Sequence, residues 1–481
     1  MKHTVCDFRA HAALNSSTAT TAYRRFVKND DGVMTIFALF MILIMIAVGG
    51  IGVDLMRNEM ERTRLQAVSD RAVLAAADLD QPLDPEAVVR DYFTKSGMGD
   101  YVSNVSVTDG LNFRTVRVDA TTTMNTQFMR SMGVETLKVP ASSTAEEKVN
   151  KVEISMVLDI SGSMGRNSKM QNLRDAAKVF VGTVLKEENK DLISVSVVPY
   201  SAHVNAGPDI FNRMNVSSGP YFSETHDYSH CVEFDDADFS VPTINNSGVP
   251  YQQVQHFQRY NAGKYTITSP VCPRYSYERI QALSQDKVSL NNQIDQLKPR
   301  SNTSIFLGMK WGVALLDPSF NTINTGLVGA GLVDQVFSNR PAAYSDPETL
   351  KTVILMTDGQ NVATDRIDNR YYNSGSERAH WARYNFGWWL DNYVSYRYRD
   401  NWYYQKYSAN KGDALLSSIC TAAKSQKIVV WSIGFEVTNN GADVMQDCAS
   451  SPSHFFRVEG VEISEAFEAI ARQINQLRLT Q

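Results

Sequence analysis

Residues 33–53 form a stretch of twenty-one positions without one charged side chain, and no other feature narrows the possible folds as far. As a helix the stretch rises roughly 32 Å, enough for a bilayer core. It is apolar on every face, which sets it apart from a surface helix, and in lipid a helix satisfies its own backbone. The competing readings are a buried core helix and a cleaved secretory signal. Asp54, Leu55, Met56 and Arg57 follow directly, with no small-residue cleavage site. Arg24, Arg25 and Lys28 precede the stretch, and Asp30 and Asp31 weigh little against them. Positive residues on this side predict a cytoplasmic segment at 1–32, a transmembrane helix at 33–53 and the remainder outside the cytoplasm.

The cysteines agree with that topology. Cys6 is alone before the span, and Cys231, Cys272, Cys420 and Cys448 follow it. An even number in an oxidising compartment predicts disulfides. Three pairings are open to four cysteines. Pairing nearest neighbours gives Cys231 with Cys272 and Cys420 with Cys448.

At 481 residues the chain needs two or three domains, and its net charge of −5 does not suggest a nucleic-acid partner. Residues 54–80 predict a helical stalk, with Leu55, Met56, Met60, Leu65, Val68, Ala72, Leu74 and Ala75 at helical spacing. Residues 81–148 predict a small α+β module. It holds a short helix from Pro85, strands at 102–107 and 114–123, a helix at 125–133 and a strand at 136–143, with a linker at 145–150.

The chemistry concentrates in Val-Glu-Ile-Ser-Met-Val-Leu-Asp-Ile-Ser-Gly-Ser-Met-Gly, residues 152–165. An apolar strand ends in Asp159, and Ser161 and Ser163 follow at spacings of two. Ligands of open α/β folds bind in turns at the C-terminal ends of strands. A carboxylate and two hydroxyls there offer hard oxygens, a set that suits Mg²⁺ with retained waters. Thr303 lies in a turn before an apolar helical pattern, with Ser304 beside it as the alternative hydroxyl. Residues 350–357 read as a second buried parallel strand, which Asp358 and Gly359 follow.

The first run resembles the metal-ion-dependent adhesion site, Asp-x-Ser-x-Ser, of von Willebrand factor type A domains, and Thr303 and Asp358 follow in that family's order. Ser301, Asn302 and Ser304 depart from its more usual Gly-Gly-Thr-Asn. The resemblance implies that Ser161, Ser163 and Thr303 coordinate through hydroxyl oxygens, and Asp159 and Asp358 directly or through water. It implies Mg²⁺, with Mn²⁺ or Ca²⁺ as alternatives, and an open position for an acidic residue of a protein partner. No Gly-x-Ser-x-Gly is present, and no base adjoins either serine, so the expectation is a binding protein and not an enzyme.

The resemblance also implies the fold class. The expected architecture is α/β: a single N-terminal transmembrane helix, the α+β module, then a Rossmann-like type A domain at 149–481. That domain has a central, mostly parallel sheet with helices on both faces. The expected strands are 152–158, 192–199, 351–357 and 427–434. The expected helices are 169–186, 280–298, 304–317, 411–425 and 462–477. Two large insertions interrupt it, near 201–279 and 360–410. The first carries His226, His230 and Cys231, an alternative zinc site, and an acidic run at 233–238 read as a solvated loop. The second holds fourteen aromatic rings from Tyr371 to Tyr407 with interleaved arginines. That composition suits an interface or a local core.

A second resemblance covers roughly 25–80. The segments Asp-Gly-Val-Met-Thr-Ile-Phe-Ala-Leu, Gly-Val-Asp-Leu-Met-Arg and Arg-Leu-Gln-Ala-Val-Ser-Asp-Arg-Ala-Val-Leu-Ala-Ala-Ala are similar to the N-terminal part of TadG-like proteins of the Tad machinery for Flp-type pili. Gly32 occupies the place of a pilin processing glycine, but Phe37 stands where glutamate would follow, so a permanent anchor is expected. The resemblance implies a bacterial inner-membrane protein with its C-terminal domain in the periplasm. Its partner would be a Tad pilus or envelope component, and its role pilus assembly or anchoring and surface adherence. The alternatives are an envelope adhesin or sensor unconnected to pili, and a structural scaffold.

Overall fold

The computed structural model describes residues 23–25, 31–78, 81–109, 113–148, 151–217, 225–244 and 248–480. Cys6, Lys28 and Asp30, and most of the expected cytoplasmic segment, lie outside them. The chain divides into two units, Met1–Lys148 and Val149–Gln481.

In the first unit helix α1 (Asp31–Ala77) joins the apolar stretch and the stalk into one rod of 47 residues. Its segment Val33–Ala77 is long and apolar enough to cross a membrane, with a hydropathy of 2.8. Leu65, Ser69, Ala72, Val73 and Ala76 are buried. The apolar members of that face share a core with helix α2 (Pro85–Lys95) and the antiparallel strands β1 (Val102–Asp109), β2 (Phe113–Asn125) and β3 (Thr136–Lys148). Leu55, Met56, Met60 and Leu74, expected on the packing face, are exposed. Small residues take the face instead because they let the helix sit close to the sheet. Ser69 hides its hydroxyl by donating to Leu65 O at 2.9 Å.

Two expectations fail in this unit. The helix at 125–133 is a single 3₁₀ turn, Met129–Met132, ended by Gly133 at φ 88°. It forms the tip of a long hairpin in which Asn125 pairs with Thr136. The linker at 145–150 is largely strand, since the same hairpin register runs on until Phe113 pairs with Lys148.

The second unit is built on a six-stranded sheet. Its strands are β4 (Lys151–Asp159), β5 (Ile193–Tyr200), β6 (Gln281–Ser284), β7 (Thr349–Thr357), β8 (Val429–Phe435) and β9 (Phe455–Val458). The order is β9-β8-β7-β4-β5-β6. All neighbours are parallel except β5 and β6. Every residue of β4 from Val152 to Asp159 is buried, which accounts for its continuous apolar run. Ile154, Met156 and Leu158 face a core with α3 (Lys169–Val184), α4 (Lys287–Gln296) and α9 (Glu462–Thr480). Val157 faces the opposite core, with α5 (Ile305–Ala314), α6 (Asn321–Gly329), α7 (Ala409–Ser425) and α8 (Asn439–Cys448).

The helix expected over 280–298 splits. Residues 281–284 become the antiparallel edge strand β6, and Asp286 starts α4 by accepting from Val288 N at 2.9 Å and Ser289 N at 3.1 Å. The sequence reading did not mark α6, α8 or β9.

The segments between β5 and β6 and between β7 and α7 share one core. Cys231, Phe257 and Cys272 pack with Ile367, Trp381 and Phe386. Disulfides join Cys231 to Cys272 and Cys420 to Cys448. The zinc alternative fails on that bond, which consumes the Cys231 thiol. In addition, His226 Nε2 lies 3.2 Å from Val254 O, while His230 packs edge-on against Phe211. The acidic run is not simply solvated: Glu233 pairs with Arg366 across the two segments, and Asp236 pairs with Lys411 at 2.9 Å. Among the rings of 371–407, Trp381, Phe386 and Tyr407 are buried, whereas Tyr393, Tyr396 and Tyr398 are exposed.

Candidate metal centre

The sheet order reverses between β4 and β7, the neighbouring strands whose C-terminal ends carry Asp159 and Asp358. Such a switch point leaves a crevice beyond the strand ends. Three loops line it, and backbone hydrogen bonds join them. Gly162 N donates to Ser301 O at 2.9 Å and Arg300 N to Ile160 O at 2.7 Å, tying the first loop to the second. Val362 N donates to Thr303 O at 2.9 Å, tying the second to the third.

The second loop is held down by the helix that follows it. All ten residues of α5 are buried. A Cβ on Gly308 would lie 2.7 Å from the Tyr200 ring, and one on Gly312 would lie 2.4 Å from Val157 Cγ2. The two glycines therefore let α5 rest directly on β4 and β5. Asn361 then locks its start: Asn361 Oδ1 accepts from Ile305 N at 2.7 Å, and Asn361 Nδ2 donates to Asp413 at 2.8 Å.

The oxygen side chains of the crevice form a chain. Asp159 Oδ1 accepts from Ser161 N at 2.7 Å, and its Oδ2 accepts from Thr357 Oγ1 at 2.7 Å. Ser161 Oγ and Ser163 Oγ are 3.0 Å apart, and Ser163 Oγ donates to Asp358 Oδ1 at 2.6 Å. A Cβ built on Gly359 would lie 3.9 Å from Ser163 Oγ and 4.0 Å from Thr303 Oγ1. Both hydroxyls therefore border one space, which glycine leaves open. Ser304 Oγ, by contrast, is buried without a hydrogen-bond partner at the start of α5. Asp159, Ser161, Thr303 and Asp358 are buried, and Ser163 is half-buried.

Burial, and then the nearby Asp358 carboxylate, push Asp159 up to about 7 against the hydrogen bonds from Ser161 and Thr357. Burial and the same Asp159 charge raise the Tyr200 hydroxyl well above its ordinary value. Tyr200 therefore stays a donor, to Met356 O at 2.9 Å and to Asp159 Oδ2 at 3.4 Å. Lys169 Nζ lies 3.1 Å from Asp358 Oδ2 and 3.4 Å from Glu436. Two carboxylates and three hydroxyls, all hard oxygens with net negative charge, fit a small divalent cation. Among the described residues no cluster of three or more His, Cys, Asp or Glu is gathered for a metal, so any site here depends on the hydroxyls.

Sequence reasoning missed Lys169, Tyr200, Thr357, Asn361 and Glu436. Thr357 alone carried a signal, as a hydroxyl residue directly before Asp358.

Among solved structures the chain is similar to the von Willebrand factor domain of the type V pili tip protein Mfa5 from Porphyromonas gingivalis. Identity is 12% and the TM-score 0.36, over 69% of this chain and 97% of that one. It is similar to the adhesive tip pilin GBS104 from Group B Streptococcus agalactiae, at 11% identity and TM-score 0.32, over 67% and 100%. It is also similar to proximal thread matrix protein 1 of the mussel byssus, solved with a zinc-occupied MIDAS motif. There identity is 11% and the TM-score 0.28, over 67% of this chain and 46% of that one. No curated protein matches the chain. Residues 32–79 match the family model described as putative Flp pilus-assembly TadE/G-like.

Proposed function

We propose that the chain is a membrane-anchored, non-enzymatic, metal-dependent protein-binding component of Flp/Tad-type pilus assembly or anchoring, and contributes to surface adherence. The carrying observation is the convergence of Asp159, Ser161, Ser163, Thr303 and Asp358 on one crevice, in a chain whose residues 32–79 match the Tad family model. In this reading the second unit is a type A domain with two insertions. Its five oxygen side chains hold Mg²⁺, with Mn²⁺ or Ca²⁺ as alternatives. A bound dication supplies Lewis acidity toward a carboxylate of a pilus or envelope partner. Asp159 then carries its charge against the cation and not as a desolvated anion. Helix α1 anchors the protein in a bacterial inner membrane, with its N-terminus cytoplasmic and the chain beyond the span periplasmic, where the two disulfides persist.

The test is a pilus count on cells expressing Asp159→Ala at normal abundance, beside a deletion strain. Loss of pili in both places the metal site in assembly. Loss in the deletion alone leaves a scaffold with a dispensable site. Unchanged counts in both refute the pilus reading and favour an envelope adhesin or sensor. The scaffold is the second reading, and Lys169 favours it, because its ammonium already answers Asp358 and Glu436 without a metal.

A further inference from the structure

Phe128 rests on α1 inside the uncharged stretch. A Cβ added to Gly50 would lie 2.5 Å from Phe128 Cγ, so the ring sits against bare helix backbone. Gly50 precedes Val53, the last residue of the stretch, by about 5 Å of helix rise. The next turn of α1 presents Asp54, fully buried, whose carboxylate accepts from Gln127 N at 3.0 Å and from Phe128 N and Met129 N at 2.8 Å each. Arg57 is 3.7 Å from the same carboxylate.

The hairpin tip also closes part of its own backbone. Ser131 N donates to Phe128 O at 3.2 Å, and Gly133 N and Val134 N donate to Arg130 O and Met129 O at 3.1 Å each. Thr126 Oγ1 bridges to Glu135 O at 3.1 Å. The side chains nonetheless point outward: Phe128 is 40% and Met132 61% exposed, and Arg130 is exposed between them.

We propose that the tip at residues 127–134 is a membrane-contact surface whose partner is the lipid–water interface. Phe128 and Met132 enter the acyl boundary, and Arg130 reaches the headgroups. The proposal rests on the transmembrane reading of residues 33–53. If that stretch fills the bilayer core, a ring docked on Gly50 lies at the edge of the core. A loop at that depth must bring its amides already satisfied, because an unpaired one is costly away from water. Asp54 satisfies three amides of this tip that have no acceptor within it. Exposed apolar side chains beside a cation are the composition of an interfacial anchor. The small module would thereby be held upright on the membrane by two contacts and not by the rod alone.

The full-length protein, with Cys6→Ser to remove the lone thiol, is placed in liposomes with one environment-sensitive fluorophore. The label sits on Met132→Cys, on Ile44→Cys in the middle of the stretch, or on Leu83→Cys, 63% exposed beyond the far end of α1. Lipids carry a spin-label quencher near the headgroup or deep in the chain. The expected result is deep quenching at position 44, shallow quenching with blue-shifted emission at 132, and neither at 83. Quenching at 44 with position 132 behaving like 83 overturns the tip contact and leaves the anchor standing. No quenching at 44 overturns the transmembrane reading, and the tip contact with it.

Discussion

Asp54 and Asp159 each end an apolar run and each is fully buried, yet their surroundings differ. Asp54 accepts from three backbone amides and has Arg57 beside it. Asp159 accepts from one amide and from hydroxyls, and it faces a second carboxylate, so burial and repulsion push it up to about 7. Lys169 answers Asp358 and Glu436 but does not pair with Asp159. A buried carboxylate with its donors and a cation in place acts as a clamp. One that shares a crevice with a like charge and several hydroxyls lacks that neutralisation, which on the proposed reading an added cation supplies.

The largest effect of a single substitution should come from breaking the clamp. Asp54→Ala strands three amides, which should cost the first unit more than any other single change named here. Denaturant unfolding followed by a probe in the β2–β3 hairpin measures it. Unchanged stability would mean that Asp54 is not holding the tip.

Buried histidines sharpen the comparison, because they avoid charge altogether. Burial above all holds His203 and His256 down to about 3 and His226 to about 4. His203 faces Glu233, Arg366 and Lys406, His226 faces Arg378 and His230, and His256 faces His226 and Arg274. The unfolded chain takes up protons near 6.5 and the folded one does not, so stability is present above 6.5 and falls as pH drops from there toward 3–4. At pH 5 the cost is about 2 kcal/mol per histidine. The segments around the Cys231–Cys272 disulfide should therefore loosen first in acid, read by hydrogen exchange. Protection there that stays flat from pH 7 to 5 would contradict the burial of these rings.

The smallest effect belongs to Lys169→Met. Removing the ammonium that competes for Asp358 should tighten divalent binding by about 1 kcal/mol, or roughly five-fold. Weaker binding in that variant would show that Lys169 organises the crevice and does not compete for it.

What the sequence showed of this molecule follows from the range of the interactions involved. The apolar helix and the strand-end positions of Asp159 and Asp358 are local patterns, readable from a few consecutive residues. The role of Asp54 was not readable, since its amide partners lie more than seventy residues away. The need for glycine at 308 and 312 was not readable either, since Tyr200 and Val157 beneath them are distant in sequence. Residues 281–284 carry helical spacing but pair with β5 at the sheet edge. There tertiary pairing outweighs propensity. The aromatic stretch divided between core and surface because its partners, Phe257 and the Cys231–Cys272 disulfide, come from the other segment.

The central claim is that the crevice binds a divalent cation through Asp159. Calorimetric titration of Mg²⁺ into detergent-solubilised, chelator-treated full-length protein tests it most directly, with Asp159→Ala alongside. The account predicts saturable binding by the native protein and none by Asp159→Ala, with Mn²⁺ or Ca²⁺ competing for the same site. Absence of binding to the native chain, or equal binding by Asp159→Ala, would contradict it.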